Sequence, residues 1–197
     1  MILPIHVYGD PILRTPTRPV DEITPEIQQL IQDMIETMHG ASGLGLAAPQ
    51  VGRTERLFVI DLSPLKEELT AESEAHGTIP PLPLNEPIAL INPKIVWSGD
   101  EEVEFEEGCL SIPDIRENVW RPDVIRIQFT TPEGEEKEIE ARGMFSRVMQ
   151  HEYDHLNGIL FIDLISPFRQ RLIKRKLREI ARGQVEADYP LALPTQT

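Results

Sequence analysis

The sequence predicts an α+β fold in which antiparallel sheets pack around a central metal-binding helix, with an N-terminal helix and a C-terminal helix flanking it. Three observations predict this class. Apolar residues recur at helical spacing over residues 27–38. Residues 124–129 alternate apolar and more polar side chains, as a half-buried antiparallel strand does. Residues 143–156 place two histidines four positions apart on one helical face.

The N-terminal helix is predicted to begin after Thr24 and to end at Gly40. Thr24 can cap its first turn, Pro25 suits the first helical position, and Gly40 can end it in a left-handed conformation. A glycine-rich turn follows at 43–50, and the branched and aromatic run at 57–60 indicates a strand. The turn therefore joins a helix to a strand.

The segment 63–87 differs from the rest of the chain because it holds five prolines and a glutamate-rich first half. Its length is unusual for a loop in a compact domain. We predict a proline-rich insertion loop that is either partly disordered or packed as an irregular arm. Further strands are predicted at 88–92, 94–97 and 103–105, which together with 124–129 favour a half-buried antiparallel sheet.

A basic helix is predicted over 166–183, where a Ser-Pro pair opens it and Gly183 ends it. It holds seven lysines and arginines but one acidic residue. Residues 184–197, which include two prolines, are predicted to form a flexible tail. Residues 1–183 then form a single catalytic domain.

The overall charge limits the classes of partner. The 197 residues include 33 acidic and 19 basic ones, so the formal net charge is −14. Coating a nucleic acid or binding a membrane needs a cationic face, so we expect neither DNA nor a membrane as a partner. A single cysteine excludes an intrachain disulfide, and we find neither a secretory signal nor an apolar run of about 20 residues. We therefore expect a soluble, cytoplasmic protein.

The sequence HEYDH at 151–155 is the strongest chemical signal. His151 and His155 lie one helical turn apart, so their imidazoles can converge on one metal ion. Glu152 projects beside that face and can act as a general base toward water activated by the ion. The alternative is a helix that carries two surface histidines.

A catalytic site of this kind needs a third protein ligand and an open fourth position. Thermolysin-like proteases take that ligand from a glutamate farther along the chain. Metzincins take it from a third histidine, but Gly158 is followed here by Ile, Leu and Phe, so that pattern fails. Cys109 is the other candidate because a thiolate suits a borderline divalent metal, although a lone cysteine is more often a core residue.

Three segments resemble, in the same order, the signature segments of the peptide deformylase family. They are residues 43–50 (GLGLAAPQ), 107–111 (EGCLS) and 150–155 (QHEYDH). The resemblance covers roughly residues 4–180 and is interrupted by 63–87. It implies removal of the formyl group from the N-terminal formylmethionine of new polypeptides. It also implies Fe²⁺ as the physiological metal, which Zn²⁺, Ni²⁺ or Co²⁺ can replace in purified samples.

The resemblance implies roles for individual residues. The implied metal ligands are Cys109, His151 and His155. Glu152 is the implied proton carrier. The implied stabilisers of the tetrahedral oxyanion are the carboxamide of Gln50 and the backbone N–H of Leu110. Without the resemblance, an alternative interpretation is that Gln50 only tethers its own loop.

The implied substrate-binding residues divide into a main-chain set and a pocket set. The main-chain set would pair with the peptide as an added strand does, while flexible apolar side chains would hold methionine. These residues are Leu44, Gly45, Gly108, Arg116, Met144 and Val148. Gly43 and Gly45 lack a Cβ, so a peptide backbone can approach them closely. Arg116 has the alternative of an ordinary solvent-facing charge.

Several charged residues carry further expectations. Arg147 departs from an apolar pocket, and we expect its stem to line the pocket while its charge reaches water. Asp154 and Arg121 resemble an ion pair that steadies the metal helix. Glu107 is the one member of an acidic strand edge that we expect to face the active site. The other three histidines are expected to be structural or surface groups. They are His6, His39 and His76.

The basic helix has a functional and a structural interpretation. Resemblance to bacterial deformylases implies that it docks on ribosomal RNA near the exit tunnel. Alternatively, it balances an acidic body, or its cations favour the helix dipole. Two competing functions also stay open at this point, a metalloprotease and a non-catalytic metal-binding or ribosome-associated module.

Overall fold

The computed structural model describes residues 1–75 and 82–194. In these ranges the chain forms four α-helices, which are α1 (Pro25–Gly40), α2 (Lys66–Ala75), α3 (Gly143–Leu156) and α4 (Pro167–Ala181). The same ranges hold nine strands, which are β1 (Ile5–His6), β2 (Gly45–Ala47), β3 (Leu57–Ile60), β4 (Ile88–Ser98), β5 (Glu102–Cys109), β6 (Ile112–Pro122), β7 (Val124–Thr130), β8 (Glu136–Arg142) and β9 (Leu191–Ala192). None of the described helices is both long and apolar enough to cross a membrane.

The strands form three sheets. The central sheet has the order β2-β3-β4-β7-β8, and all its neighbours are antiparallel. Strands β5 and β6 form a separate antiparallel hairpin. Strands β1 and β9 pair in parallel, which differs from the expectation of antiparallel sheets alone. The predicted α+β class is confirmed.

The central sheet lies between α1 and α3 because β3 alternates its side chains between two buried clusters. Phe58 and Ile60 pack in one cluster with Met149 of α3. Leu57 and Val59 pack in the other with the apolar face of α1. Helix α3 also contacts β2, β7 and β8, so the helix that carries the two histidines lies in the interior.

Helix boundaries follow the predicted caps, with one difference in geometry. The Thr24 hydroxyl accepts a hydrogen bond at 3.4 Å from the backbone N–H three residues later. Helix α1 ends at Gly40, but the left-handed conformation belongs to Ser42, at φ 54°. After α3, Gly158 has φ 72°, and a Cβ there would lie 2.6 Å from the Arg14 carbonyl oxygen. Glycine is therefore required where the chain leaves α3.

The prediction of a loop over 63–87 is wrong in its first half. Ser63–Leu65 forms a 3-10 turn, and Lys66–Ala75 forms α2. Leu69 of α2 is buried in the cluster that also contacts α3. A single buried leucine among glutamates gives little helical periodicity, so the pattern did not stand out. The remaining part of the predicted loop includes 76–81, which lie outside the described residues.

Strand prediction was incomplete. The predicted strands 88–92 and 94–97 are one strand, β4, with two register shifts against β7. Strands β1, β2, β6, β8 and β9 were not predicted. Strand β8 has mostly exposed glutamate and lysine side chains, so its composition does not indicate a strand. Strand β8 forms because it pairs with β7 along its whole length, a contact that its own sequence does not indicate.

The predicted flexible tail over 184–197 is wrong for its described part, 184–194. Strand β9 pairs with β1, and the Ile5 backbone N–H donates to the Pro190 carbonyl at 2.9 Å. Val185 and Leu191 pack against a buried cluster that includes residues of α4 and β6. Long-range contacts therefore hold a segment whose prolines suggested fraying.

Candidate metal centre and active-site cleft

Three ligand-bearing side chains converge between α3 and the end of β5. The ligand atoms of Cys109, His151 and His155 all lie within 4.8 Å of one another. The Cys109 Sγ is 3.3 Å from His155 Nε2. A tetrahedral ion with sulfur and nitrogen ligands would space these atoms about 3.5 Å apart. The donor set and its spacing therefore fit one divalent metal ion.

Glu107 orients the imidazole of His151. The His151 Nδ1 is 2.8 Å from Glu107 Oε2. Burial alone would raise the pKa of Glu107, but hydrogen bonds from His151 and Arg121 hold it well below its ordinary value. An ionised carboxylate only accepts hydrogen bonds, so Nδ1 carries a proton and Nε2 faces the other two ligand atoms. As expected, Glu107 lies against the candidate site, where it contacts His151 and lines the cleft.

The expected ion pair behind α3 is present. Arg121 donates to Asp154 Oδ2 at 2.6 Å and to both oxygens of Glu107, at 2.6 and 3.0 Å. Arg121 is almost completely buried, so it bridges α3 to the β5–β6 hairpin within the interior. This bridge connects the element that carries Cys109 to the element that carries both histidines.

The prediction that the charge of Arg147 reaches water is wrong. Its guanidinium is buried and donates to Glu107 Oε1 at 2.8 Å. It also donates to the carbonyls of Val119 and Val103, at 2.9 and 2.7 Å. Its charged group lies over the ring of Phe105. The sequence offers one hint of this pairing. Glu107 lies two residues before Cys109, so a buried acidic partner for Arg147 could be expected near the site.

Glu152 lies beside the three ligand atoms and is buried. Within the described part of the chain, Glu152 Oε2 and His155 Nδ1 are the buried side-chain atoms that lack a hydrogen-bond partner. Burial raises the pKa of Glu152 to about 7, where a carboxyl group can both accept and release a proton near neutral pH. A Cβ on Gly45 would lie 2.5 Å from Glu152 Oε1, so this close approach requires glycine.

Gln50 connects the glycine-rich turn to the β5–β6 hairpin. Its Oε1 accepts a hydrogen bond from the Ala47 N–H at 2.8 Å. Its Nε2 donates to Ser111 Oγ at 3.2 Å and lies 3.5 Å from Cys109 Sγ. Gln50 therefore does tether its own loop, as the alternative interpretation expected. The same side chain also presents an N–H donor beside the candidate ligands.

A cleft of about 840 Å³ opens onto this cluster. It brings together every predicted substrate-binding residue, both predicted oxyanion donors, the predicted proton carrier and two of the predicted ligands. These residues are Leu44, Gly45, Gln50, Gly108, Cys109, Leu110, Arg116, Met144, Val148, His151 and Glu152. His155 is 1% exposed and lies beneath the cleft. Arg116 is largely exposed at the rim, 3.7 Å from Glu106.

Some cleft residues were not foreseen. Leu65, which precedes α2, and residues 186–189 of the tail line the cleft. The tail had no sequence signal for this position because its contacts are with residues far away in the chain. The predicted non-ligand histidines behave as expected, since His6 and His39 lie 2.7 Å from Asp10 and Asp61, respectively. His76 lies outside the described residues.

An α+β fold with a half-buried thiol, two imidazoles and a buried carboxyl group at the base of a cleft defines a candidate metal-dependent hydrolase. A model of the polypeptide deformylase family matches residues 2–171. The peptide deformylase of Salinibacter ruber is 57% identical over 191 residues, covering 97% of this chain and 94% of that protein. That of Christiangramia forsetii is 41% identical over 194 residues, covering 98% and 97%, respectively. The crystal structure of a Legionella pneumophila peptide deformylase has a TM-score of 0.78 and 38% identity, covering 93% of this chain and 98% of that one.

The chain therefore belongs to the polypeptide deformylase family. Enzymes of this family depend on a metal, and they remove the N-formyl group from nascent peptides. This chain is an enzyme with that activity. The family-level resemblance found in the sequence is confirmed, and a metalloprotease or a non-catalytic module is no longer needed to explain the HEYDH segment.

Proposed function

We propose that Cys109, His151 and His155 hold the metal of this deformylase and that Glu152 carries the proton. The convergence of three ligand atoms within 4.8 Å, beside a buried carboxyl group with an unpartnered oxygen, carries the proposal. When bound, the ion supplies a Lewis acid that activates water and polarises the formyl carbonyl. We propose Fe²⁺ as the physiological ion, as the resemblance to deformylases implies, and the thiolate and two imidazoles also suit Zn²⁺, Ni²⁺ and Co²⁺.

Glu152 handles the proton balance of the reaction. Water adds to the formyl carbon, and the Glu152 carboxylate accepts the proton that the water loses. The C–N bond then breaks, and the same carboxyl group gives that proton to the departing amine. The products are formate and a free N-terminus. Burial disfavours the charged carboxylate, so Glu152 readily accepts the proton that it later releases.

Gln50 and Leu110 stabilise the tetrahedral oxyanion in this proposal. The Gln50 Nε2 has two hydrogens, of which one is held by Ser111 Oγ. The other donates to Cys109 Sγ at 3.5 Å, so it points toward the candidate ligands, where the negative charge would develop. The Leu110 backbone N–H is the second donor, in the turn directly after Cys109. Losing one such donor typically costs a few kcal/mol of transition-state stabilisation.

The cleft accounts for a substrate that varies beyond its first residue. Main-chain groups at Leu44, Gly45 and Gly108 would pair with the peptide backbone, which every sequence shares. Val148 and Met144 line the cleft one and two turns before His151, respectively, and would form the methionine pocket. Arg116, at the exposed rim, would contact the downstream part of the peptide.

Formate release is the direct test of this assignment. The protein is purified without oxygen, its metal content is measured, and a formyl-methionyl peptide is compared with the same peptide lacking the formyl group. We expect stoichiometric formate from the first peptide and no cleavage of either peptide chain. The proposed metal would be contradicted if the sample held less than one iron per chain and if its activity followed the zinc content instead.

We also propose that α4 docks on ribosomal RNA. Of its six cations, Arg169 is paired with Glu117 at 2.7 Å, and Arg175 is paired with Glu179. Lys176 donates to the Asp114 carbonyl. Arg171, Lys174 and Arg178 are exposed cations that can meet phosphates. Phe168 and Leu172 are 60% and 57% exposed on the same helix.

Charge reversal tests the docking better than truncation. Removing the chain after Ser166 would also remove β9 and the buried side chains of α4, so loss of binding would be ambiguous. A variant with Arg171, Lys174 and Arg178 changed to glutamate leaves those contacts in place. We expect it to lose ribosome co-sedimentation at moderate salt but to hydrolyse a short formyl-methionyl peptide normally. Unchanged co-sedimentation would contradict the docking role.

A further inference from the structure

The turn that joins β5 to β6 is held from outside its hairpin. The turn consists of Leu110 and Ser111, and it directly follows Cys109. The Leu110 carbonyl accepts a hydrogen bond from the Tyr189 hydroxyl at 2.8 Å. The Ser111 carbonyl accepts one from the Tyr8 backbone N–H at 2.8 Å. Two distant parts of the chain therefore fix two successive carbonyls in the turn.

Tyr189 is itself well anchored. The next residue, Pro190, accepts the hydrogen bond from the Ile5 N–H, and strand β9 begins directly after it. The Tyr189 ring packs against the same buried cluster as the Leu110 side chain. A tyrosine side chain has only two rotatable bonds before its ring is placed, so these contacts determine where its hydroxyl lies.

The hydroxyl also stays a donor. Burial, together with the nearby Cys109, raises the pKa of Tyr189 to about 12. The phenol therefore remains protonated through the neutral and mildly alkaline range. The Leu110 carbonyl can only accept, so this hydrogen bond keeps one direction and one geometry.

We propose that Tyr189 is a positioning residue, whose hydroxyl holds the Leu110 turn so that the Leu110 N–H points at the developing oxyanion. The proposal rests on the oxyanion role proposed above for Leu110. Tyr189 lies beyond residues 2–171, the part that matches the family model, and this part of the tail also lines the cleft. The described tail thus completes the active site of this chain.

The physical reason is the small tolerance of transition-state hydrogen bonds. A donor must lie about 2.7–3.1 Å from the oxyanion, and a misplacement of about 1 Å can cost roughly 100-fold in rate. Rotation of the Leu110–Ser111 peptide group changes the turn that presents the Leu110 N–H. The Tyr189 hydroxyl is the side-chain group that opposes this rotation from the Leu110 carbonyl.

Tyr189→Phe removes one oxygen atom and leaves the packed ring. We expect kcat to fall roughly tenfold while KM stays within about twofold, because the interaction affects the transition state more than substrate binding. Metal content and melting temperature should stay close to those of the unchanged enzyme. Tyr8→Phe is the matched control, since Tyr8 contacts the turn through its backbone N–H, and it should keep a normal kcat.

A spectroscopic measurement separates positioning from a general effect on folding. In zinc-loaded enzyme labelled with ¹⁵N-leucine, the Leu110 amide resonance should move in Tyr189→Phe and stay in place in Tyr8→Phe. A Tyr189→Phe variant with kcat within twofold of the unchanged enzyme would overturn the proposal. A selective rise in KM, or loss of metal, would also overturn it, because the tail would then contact substrate or support Cys109 instead.

These outcomes are distinct from failure of the proposed mechanism. If Glu152 is not the proton carrier proposed above, Glu152→Gln keeps its activity whatever Tyr189 does. If only the positioning role is wrong, Glu152→Gln is inactive while Tyr189→Phe is normal.

Discussion

Gly45→Ala tests the geometry of the proton carrier by adding one methyl group. Gly45 has no positive φ, so alanine is compatible with its backbone conformation. The new Cβ would lie 2.5 Å from Glu152 Oε1 and 2.7 Å from both Cδ and Cγ. Carbon atoms prefer separations of about 3.5 Å or more, so the carboxyl group must move by roughly 1 Å.

A displacement of that size is large for a proton transfer. We expect kcat for formate release to fall about 100-fold, which corresponds to about 2.7 kcal/mol of transition-state stabilisation. Metal content should remain at one ion per chain, because the three atoms nearest to the new Cβ all belong to Glu152 and none to a proposed ligand.

Gly99→Ala is the control for Gly45→Ala. A Cβ on Gly99 would meet its nearest atoms at 3.5 Å or more, which is ordinary contact. The assay is formate release under saturating peptide, together with metal analysis and a thermal melt of both variants. A Gly45→Ala enzyme with kcat within twofold of Gly99→Ala would refute the reasoning that Glu152 must occupy its present position.

Further predictions concern the metal, the base and the buried charges. Cys109→Ala should lose metal and activity together, since two imidazoles alone hold a divalent ion weakly; stoichiometric metal in the variant would contradict this. Glu152→Gln should keep its metal while kcat falls 100-fold or more, and a near-normal kcat would mean that another group is the base. Arg147→Leu should lower the free energy of unfolding in urea by about 3–5 kcal/mol, because Glu107 and two carbonyls lose a buried donor. Iron-loaded enzyme should lose activity in air faster than zinc-loaded enzyme, through oxidation at the thiolate; equal rates would exclude iron redox chemistry as the cause.

The buried charges illustrate why the cleft can be polar without being unstable. Glu107 accepts hydrogen bonds from Arg121, Arg147 and His151, so one carboxylate connects two cations and a candidate ligand. Arg121 extends the network to Asp154 on α3. Each charge in this network has a partner of opposite sign, which is the condition under which burial of charge is tolerated. The network also fixes α3 against the hairpin that supplies Cys109.

Features that depend on local periodicity could be predicted from the sequence. The helical repeat places His151 and His155 on one face, and Ser166 caps the start of α4 as predicted. The α+β class followed from the same two periodicities of helix and strand. These predictions held because backbone geometry over a few residues depends mainly on nearby side chains.

The tertiary structure decided everything that joins distant residues. Cys109 meets His155 although 46 positions separate them, and Tyr189 meets Leu110 across 79 positions. The paths of α2 and the tail also depend on surfaces supplied by other elements, and so does the burial of Arg147. A sequence pattern records which face of an element is apolar, but it does not record which partner covers that face. The two histidines on one helical face could therefore be predicted from the sequence, whereas the cleft around them depends on how distant elements pack.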